Sequence, residues 1–226
     1  MPNRFPFPLR LLALACAAAV PAAPQPAASF LALMDRFASG FAGARADIRS
    51  VNHVQGVPED DVETGTILIR RSGVKTQFLI QFTAPNVYSL AVRDQSAEVY
   101  RPKLNEIQEY DLRAYKDVAQ KLFLLGFGMP GKELAANYQV RTLKREIAGS
   151  QPATHLDLIP KSPEVLKQLR SVEVWFSDAT ECPIQQVFHL ADGGVRTAQF
   201  SSIELNPKFP AGAFDLPKGA HRVRVN

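Results

Sequence analysis

From Thr64 to Leu112 the sequence is a succession of short runs: G-T-I-L-I-R-R, Q-F-L-I-Q-F-T, Y-S-L-A-V-R, S-A-E-V-Y-R and N-E-I-Q-E-Y-D-L. β-Branched and aromatic residues dominate them, and Ser72-Gly73, Ala84-Pro85-Asn86, Arg93-Asp94 and Arg101-Pro102 interrupt them. Such a pattern folds as consecutive antiparallel strands joined by tight turns. Side chains alternate between the two faces of a strand, so Phe78, Ile80 and Phe82 share one face while Gln77, Leu79 and Gln81 share the other. A sheet with so apolar a face has to be covered by something.

The 226 residues fit one domain, and a 46% apolar fraction supplies a sizeable core. The start of the chain reads differently. Arg4 and Arg10 form a basic opening, Leu11 to Val20 is apolar, and small residues with prolines follow from Pro21, which is the layout of a secretory signal. The apolar run falls short of the roughly 20 residues that span a bilayer. Residues 1–28 are therefore expected to be a signal peptide and 29–226 the folded domain, exported to the periplasm. Cys16 lies inside the apolar run. It lacks the leucine usual three positions before a lipidated cysteine, so ordinary cleavage is expected, with a lipid anchor at Cys16 as the alternative. Cys182 is then left without a disulfide partner.

Before and after the strand run, other elements are readable. Phe30, Met34, Phe37 and Phe41 recur at spacings of four, three and four, which predicts a helix from Ser29, its cap, to Ala44. A first strand is expected over Ala46 to Val54, and Gly56 to Glu63 as an acidic, exposed connection. The stretch from Tyr115 to Gly131 opens as an amphipathic helix with Val118, Leu122 and Leu125 on one side. From Leu122 to Met129 it holds only apolar residues and glycine, which suits either a buried helix end or a movable lid. Strands are expected at 138–143, 154–159, 171–177, 184–190 and 197–205, with a short helix from Ser162-Pro163 and a hairpin turn at Asp192-Gly193-Gly194. The resulting class is α+β: one strongly curved antiparallel sheet of about ten strands, an incomplete β-barrel, with helices covering its concave face.

Several chemistries find no foothold. His53, His155, His189 and His221 are far apart and none has a zinc-type partner spacing. No nucleophile elbow, phosphate loop or dinucleotide fingerprint occurs, and Asp60-Asp61 and Asp94 read as turn acids. No enzyme, cofactor or metal is expected. Charges are interspersed apart from Arg70-Arg71 and the tail's Lys218, His221, Arg222 and Arg224, so no basic stripe invites nucleic acid.

The order of motifs resembles the LolA-like periplasmic lipoprotein carrier family. The matching features are the helix, then Gly65-x-Ile-x-Ile-Arg-Arg, the strand ending Thr83-Ala-Pro85, Val99-Tyr100-x-Pro102, Leu156-x-Leu-x-Pro160-Lys161, Val172-x-Val-x-Phe176 and Phe214-x-Leu-Pro-x-Gly219. The resemblance covers nearly all of the chain after the signal. It implies a half-barrel with a helical lid over an apolar cavity, a monomer, an acylated lipoprotein or lipid as cargo, and an inner-membrane exporter and outer-membrane acceptor as partners. It also implies a functional arginine. Arg71 matches it and Arg70 is the alternative, since Arg71 is followed by Ser72 where the family has proline. Read onto this sequence, Phe78, Ile80, Phe82, Tyr88, Leu90 and Val92 would line the cavity, with Phe30, Met34, Phe37, Leu122 and Leu125 closing it. Arg71, a fixed charge with five donors, would hold the lid by its backbone carbonyls. The competing expectation is an envelope sensor or accessory protein that uses the same sheet to bind a protein partner.

Overall fold

The computed structural model describes residues 27–73, 75–93, 96–112 and 125–225. The signal segment with Cys16, the turn residue Asp94, and Val118 and Leu122 lie outside the described residues. Helix α1 (Ala27–Gly40) leads into β1 (Gly43–His53), β2 (Asp61–Ser72), β3 (Lys75–Ala84), β4 (Tyr88–Arg93), β5 (Ser96–Arg101) and β6 (Glu106–Asp111). Then follow α2 (Gly131–Asn137), β7 (Tyr138–Ala148), β8 (Gln151–Pro160), α3 (Pro163–Leu166), β9 (Leu169–Ser177), β10 (Pro183–Leu190), β11 (Val195–Leu205) and β12 (His221–Val225). All twelve strands form one open, curved sheet in the order β12-β6-β5-β4-β3-β2-β1-β11-β10-β9-β8-β7.

Neighbours in sequence are neighbours in space except at two points. β1 pairs with β11 from Ala44↔Leu205 to His53↔Val195, which joins the two meanders into one sheet. β12 lies parallel to β6, because the chain reaches that edge by crossing the outer face instead of turning back in a hairpin. On its way it lays Phe214 and Leu216 over Leu79, Ala91 and Ile107, so both faces of β3 are buried. Leu79 thus has its own cover, opposite the one over Phe78.

Three sequence expectations change. The helix stops at Gly40 instead of Ala44, Ser29 lies inside it, and β1 begins at Gly43. Among the described residues the strands number twelve, and one pairing is parallel. Glu63 does not belong to an exposed connection. β2 starts at Asp61, and alternation turns Glu63 to the same face as Ile67 and Ile69, only 7% exposed.

Cys182, at the end of the β9–β10 return, is fully buried, and burial pushes its thiol up to about 11, with a Thr180 bond opposing and Glu181 adding to the shift. The folded protein at mildly alkaline pH is expected not to react with a thiol-exchange reagent, and to react stoichiometrically once denaturant is added. Labelling of the native state on the same time scale as the unfolded one would contradict this packing.

Candidate functional site

The concave face is built from rows of apolar residues that cross several strands. Ile69, Phe78 and Val92 stand in register across β2, β3 and β4, as do Ile67, Ile80 and Leu90, and Phe82 faces Tyr88. Ala44, Ala46 and Ile48 of β1 and Phe200 of β11 extend this floor. Over it lie Phe37, Phe41 and Phe127, the last meeting Phe200 edge-on at 5.0 Å. A second patch of floor, Leu156, Leu158, Val172, Val174 and Phe176, is covered by Phe30, Met34, Leu125, Met129, Leu134 and Tyr138. Phe30 meets Phe176 edge-on at 5.3 Å.

Helix α1 thus straddles both patches. The residues read from the sequence as one lining are divided between them. Phe78, Ile80, Phe82 and Val92 are buried in the first, with Tyr88, Leu90 and Phe37 partly buried against them, whereas Phe30, Met34 and Leu125 belong to the second. Leu122 lies outside the described residues. The space beneath α1 is occupied by the chain's own side chains: Phe78 and Phe127 are 1% exposed and Leu125 is fully buried.

A segment of irregular backbone, 125–130, lies against this floor, and buried carbonyls in it need donors. The Arg71 guanidinium supplies one, Nη1 donating to Gly128 O at 2.9 Å, and it reaches Ala38 O in the last turn of α1 at 3.5 Å. Gln186 of β10, 5% exposed, donates through Nε2 to Leu125 O. Gly128 has φ +71 beneath the ring of Phe41, where a Cβ would overlap that ring, so two requirements call for glycine there. Arg70 has no part in this. Strand alternation sends it to the outer face, where it donates to Gln77 Oε1 and lies 4.4 Å over the Phe214 ring.

The end of α1 is tied down separately. The Asn206 side chain accepts from Ala42 N at 2.7 Å and Gly43 N at 3.1 Å and donates to Gly40 O at 2.9 Å. Its own φ of 51 is a left-handed conformation that asparagine tolerates. α2 packs on α1 where Gly131 presses against the Leu31 carbonyl, and Lys132 N donates to Asp35 Oδ1 at 3.3 Å. Sequence reading missed Gln186, Asn206 and Glu63. Asn206-Pro207 carried a turn signal, but its contacts span 163 to 166 residues of sequence and had no local trace.

A carboxylate also sits on the concave face near the apolar floor: Glu63, whose Oε2 accepts from Tyr88 Oη at 2.9 Å. Burial first, then Glu63, raises the Tyr88 phenol far above its ordinary value of 10.0. A cavity of about 440 Å³ lined by Arg141, Ile159, Arg170, Ser171, Glu173 and His189 opens elsewhere, on the outer face of the sheet. Its charges are already engaged: Arg141 with Asp157, Glu173 with His189, and Arg170 with Ala191 O. It offers an acyl chain little.

No family model matches the sequence, and no curated protein does. Solved structures do match. MucB aligns with a TM-score of 0.51 at 13% identity, over 86% of this chain and 64% of MucB. In fold, the chain resembles MucB. It spans less than two thirds of MucB's length, and in the Pseudomonas aeruginosa MucA/MucB complex the TM-score is 0.49. An uncharacterized conserved protein from Thermus thermophilus aligns with a TM-score of 0.54 at 12% identity, over 88% of this chain and all of that one. The matches also include a LolA superfamily protein from Nitrosomonas europaea, at a TM-score of 0.41 and 13% identity, over 84% of this chain and 97% of that one.

Two outcomes test this geometry. Arg71→Leu removes charge-assisted bonds of the kind worth about 1.5–3 kcal/mol where screened from water, less at this half-buried site. Hydrogen exchange should therefore quicken about tenfold or more in 125–134 while β2 and β3 keep their protection. Uniform acceleration through the sheet would show that Arg71 holds the whole fold and not the cover. Stability should also fall at high pH. Burial, and then Glu133, pushes Tyr138 up to about 12, and Tyr88 is raised too. The unfolded chain loses its phenolic protons first, near 10, so the urea midpoint declines as pH rises from there, and Tyr88→Phe should flatten part of that decline.

Proposed function

We propose that this chain is an extracytoplasmic carrier that takes the acyl chains of a lipid or lipoprotein on its concave face and passes them on towards the outer membrane. The observation that carries the reading is the construction of the cover. An apolar floor is closed by a separate layer, α1 with 125–130, whose polar attachments to the sheet include Arg71, Gln186 and Asn206. The LolA-like order of motifs supports it.

Magnitudes make the exchange feasible. Burying Phe30, Met34, Phe37 and Phe41 contributes roughly 6–12 kcal/mol at 1.5–3 kcal/mol per side chain. An acyl tail of about a dozen methylenes contributes about 10 kcal/mol at 0.8 kcal/mol each. Cargo therefore replaces cover contacts at nearly equal free energy, and net affinity is the small difference. That balance suits a shuttle, which must release. Arg71 biases it towards the closed, empty form, so Arg71→Leu is expected to take up cargo and hand it over several-fold more slowly. An inner-membrane donor and an outer-membrane acceptor are the partners this cycle needs, with residues 1–28 as the export signal.

A second reading has one specific support: MucB, similar in fold, is known in a complex with MucA. On that reading the sheet binds a protein partner and the chain acts as an envelope sensor or accessory protein, anchored if Cys16 is acylated. Organic extraction of the purified full chain followed by mass spectrometry separates the two. Stoichiometric acyl lipid is expected, and lipid-free protein that captures a defined peptide instead would reverse the choice.

A further inference from the structure

The concave face changes character across β4 to β6. Its floor is apolar up to Phe82 and Tyr88, whose rings lie 4.8 Å apart. On the same face by strand alternation and register, Ala97 and Val99 of β5 continue the apolar floor, whereas Arg101 of β5 and Glu106, Gln108 and Tyr110 of β6 are polar. They form one network. Arg101 Nη1 and Tyr110 Oη both donate to Gln108 Oε1, and Gln108 Nε2 donates to Glu106 Oε1 at 2.9 Å. On the other side of Tyr88, Glu63 accepts from its hydroxyl at 2.9 Å. The positive charge of Arg101 also acts on Tyr88, against the effects of Glu63 and Asp61, so opposite charges flank that hydroxyl.

Two features of this group point beyond stability. A carboxylate as buried as Glu63 is costly to keep unless a cation or several donors compensate it, and its bond from Tyr88 comes from a neutral hydroxyl. Arg101, conversely, is exposed and donates to a neutral amide. Among the described residues neither forms an ion pair. A purely anionic ligand group would meet Glu63 and Glu106, and a purely cationic one would meet Arg101.

We propose that this end of the concave face is a head-group site for a zwitterionic amphiphile, a lipid with a primary ammonium beside a phosphodiester. The Glu63 carboxylate takes the ammonium and the Arg101 guanidinium takes the phosphate, while the tails run over Phe82 and Phe78 towards α1. This assignment rests on the acyl-binding reading above and specifies its cargo class. Arg suits a phosphodiester because its fork of donors matches the oxygens. The Tyr88 hydroxyl, between the two charges, marks where the polar head gives way to tail.

The test is uptake by the full chain from vesicles carrying pyrene-labelled phosphatidylethanolamine, phosphatidylglycerol or diacylglycerol with the same tails. Wild type should take the ethanolamine lipid about fivefold or more over the glycerol lipid, the size expected of one charge-assisted contact. Glu63→Gln should bring that ratio close to one, whereas Arg101→Gln should lower uptake of both phospholipids several-fold relative to diacylglycerol, and Arg101→Lys should keep most of that uptake. Should Glu63→Gln fail to fold, the exposed Arg101→Gln decides. Equal uptake of the two phospholipids by wild type, a ratio that survives Glu63→Gln, or phospholipid uptake that Arg101→Gln leaves unchanged relative to diacylglycerol, overturns the head-group site. Uptake of labelled diacylglycerol in that case keeps the acyl-binding reading, whereas no uptake of any labelled lipid overturns both.

Discussion

Irregular backbone laid on hydrocarbon is the central physical problem of this molecule. A sheet of isoleucines and phenylalanines offers nothing to a carbonyl, yet 125–130 and the end of α1 place carbonyls against it. Arg71, Gln186 and Asn206 answer this from three strands or strand ends, at Gly128, Leu125 and Gly40 respectively. Arg71 and Gln186 rise from an otherwise apolar surface where a backbone oxygen arrives, whereas Asn206 ties the exposed end of α1. Remove these donors and the cover would still be attracted to the floor, but in no single arrangement. Dispersion and burial give adhesion, whereas hydrogen bonds to named atoms give position.

On the proposed carrier reading, this division lets a covered face also serve as a working face. Packing between Phe127 and Phe200 or Phe30 and Phe176 is replaceable by any hydrocarbon of similar volume. The carbonyl bonds are not, since an acyl tail has no donors. A ligand that enters under α1 gains what the cover loses in burial and leaves the polar bonds to decide the resting state. The outer face is managed differently. Beneath Phe214 and Leu216 it is sealed, and around His155 it is polar, with the imidazole stacked on Trp175 at 4.1 Å.

Much of the architecture was legible in the residues. Period-two alternation in 64–112 fixed which side chains share a face, because that depends only on the pleat, and Phe78, Ile80 and Val92 do stand together. The spacing of Phe30, Met34 and Phe37 showed a helix, though not its stop, since Gly40 and Gly43 gave weaker signals than Phe41, which continues the apolar pattern beyond the helix end. What stayed hidden was non-local. No sequence rule says that β1 pairs with β11, that Asn206 closes on Gly40, or that Glu63 turns inward. The division of the expected lining into two patches was hidden for the same reason: it depends on where α1 lies across the strands.

Asn206 also fixes how α1 can leave the sheet. A rod fastened at its Gly40 end cannot lift evenly. It swings about the fastening, carrying α2 with it, and its Ala27 end sweeps the widest arc. Phe30 and Met34 would part from Phe176 and its neighbours well before Phe41 stirs. A guest would then enter over β8 and β9, at the wide mouth of the wedge, and travel inward towards the pivot.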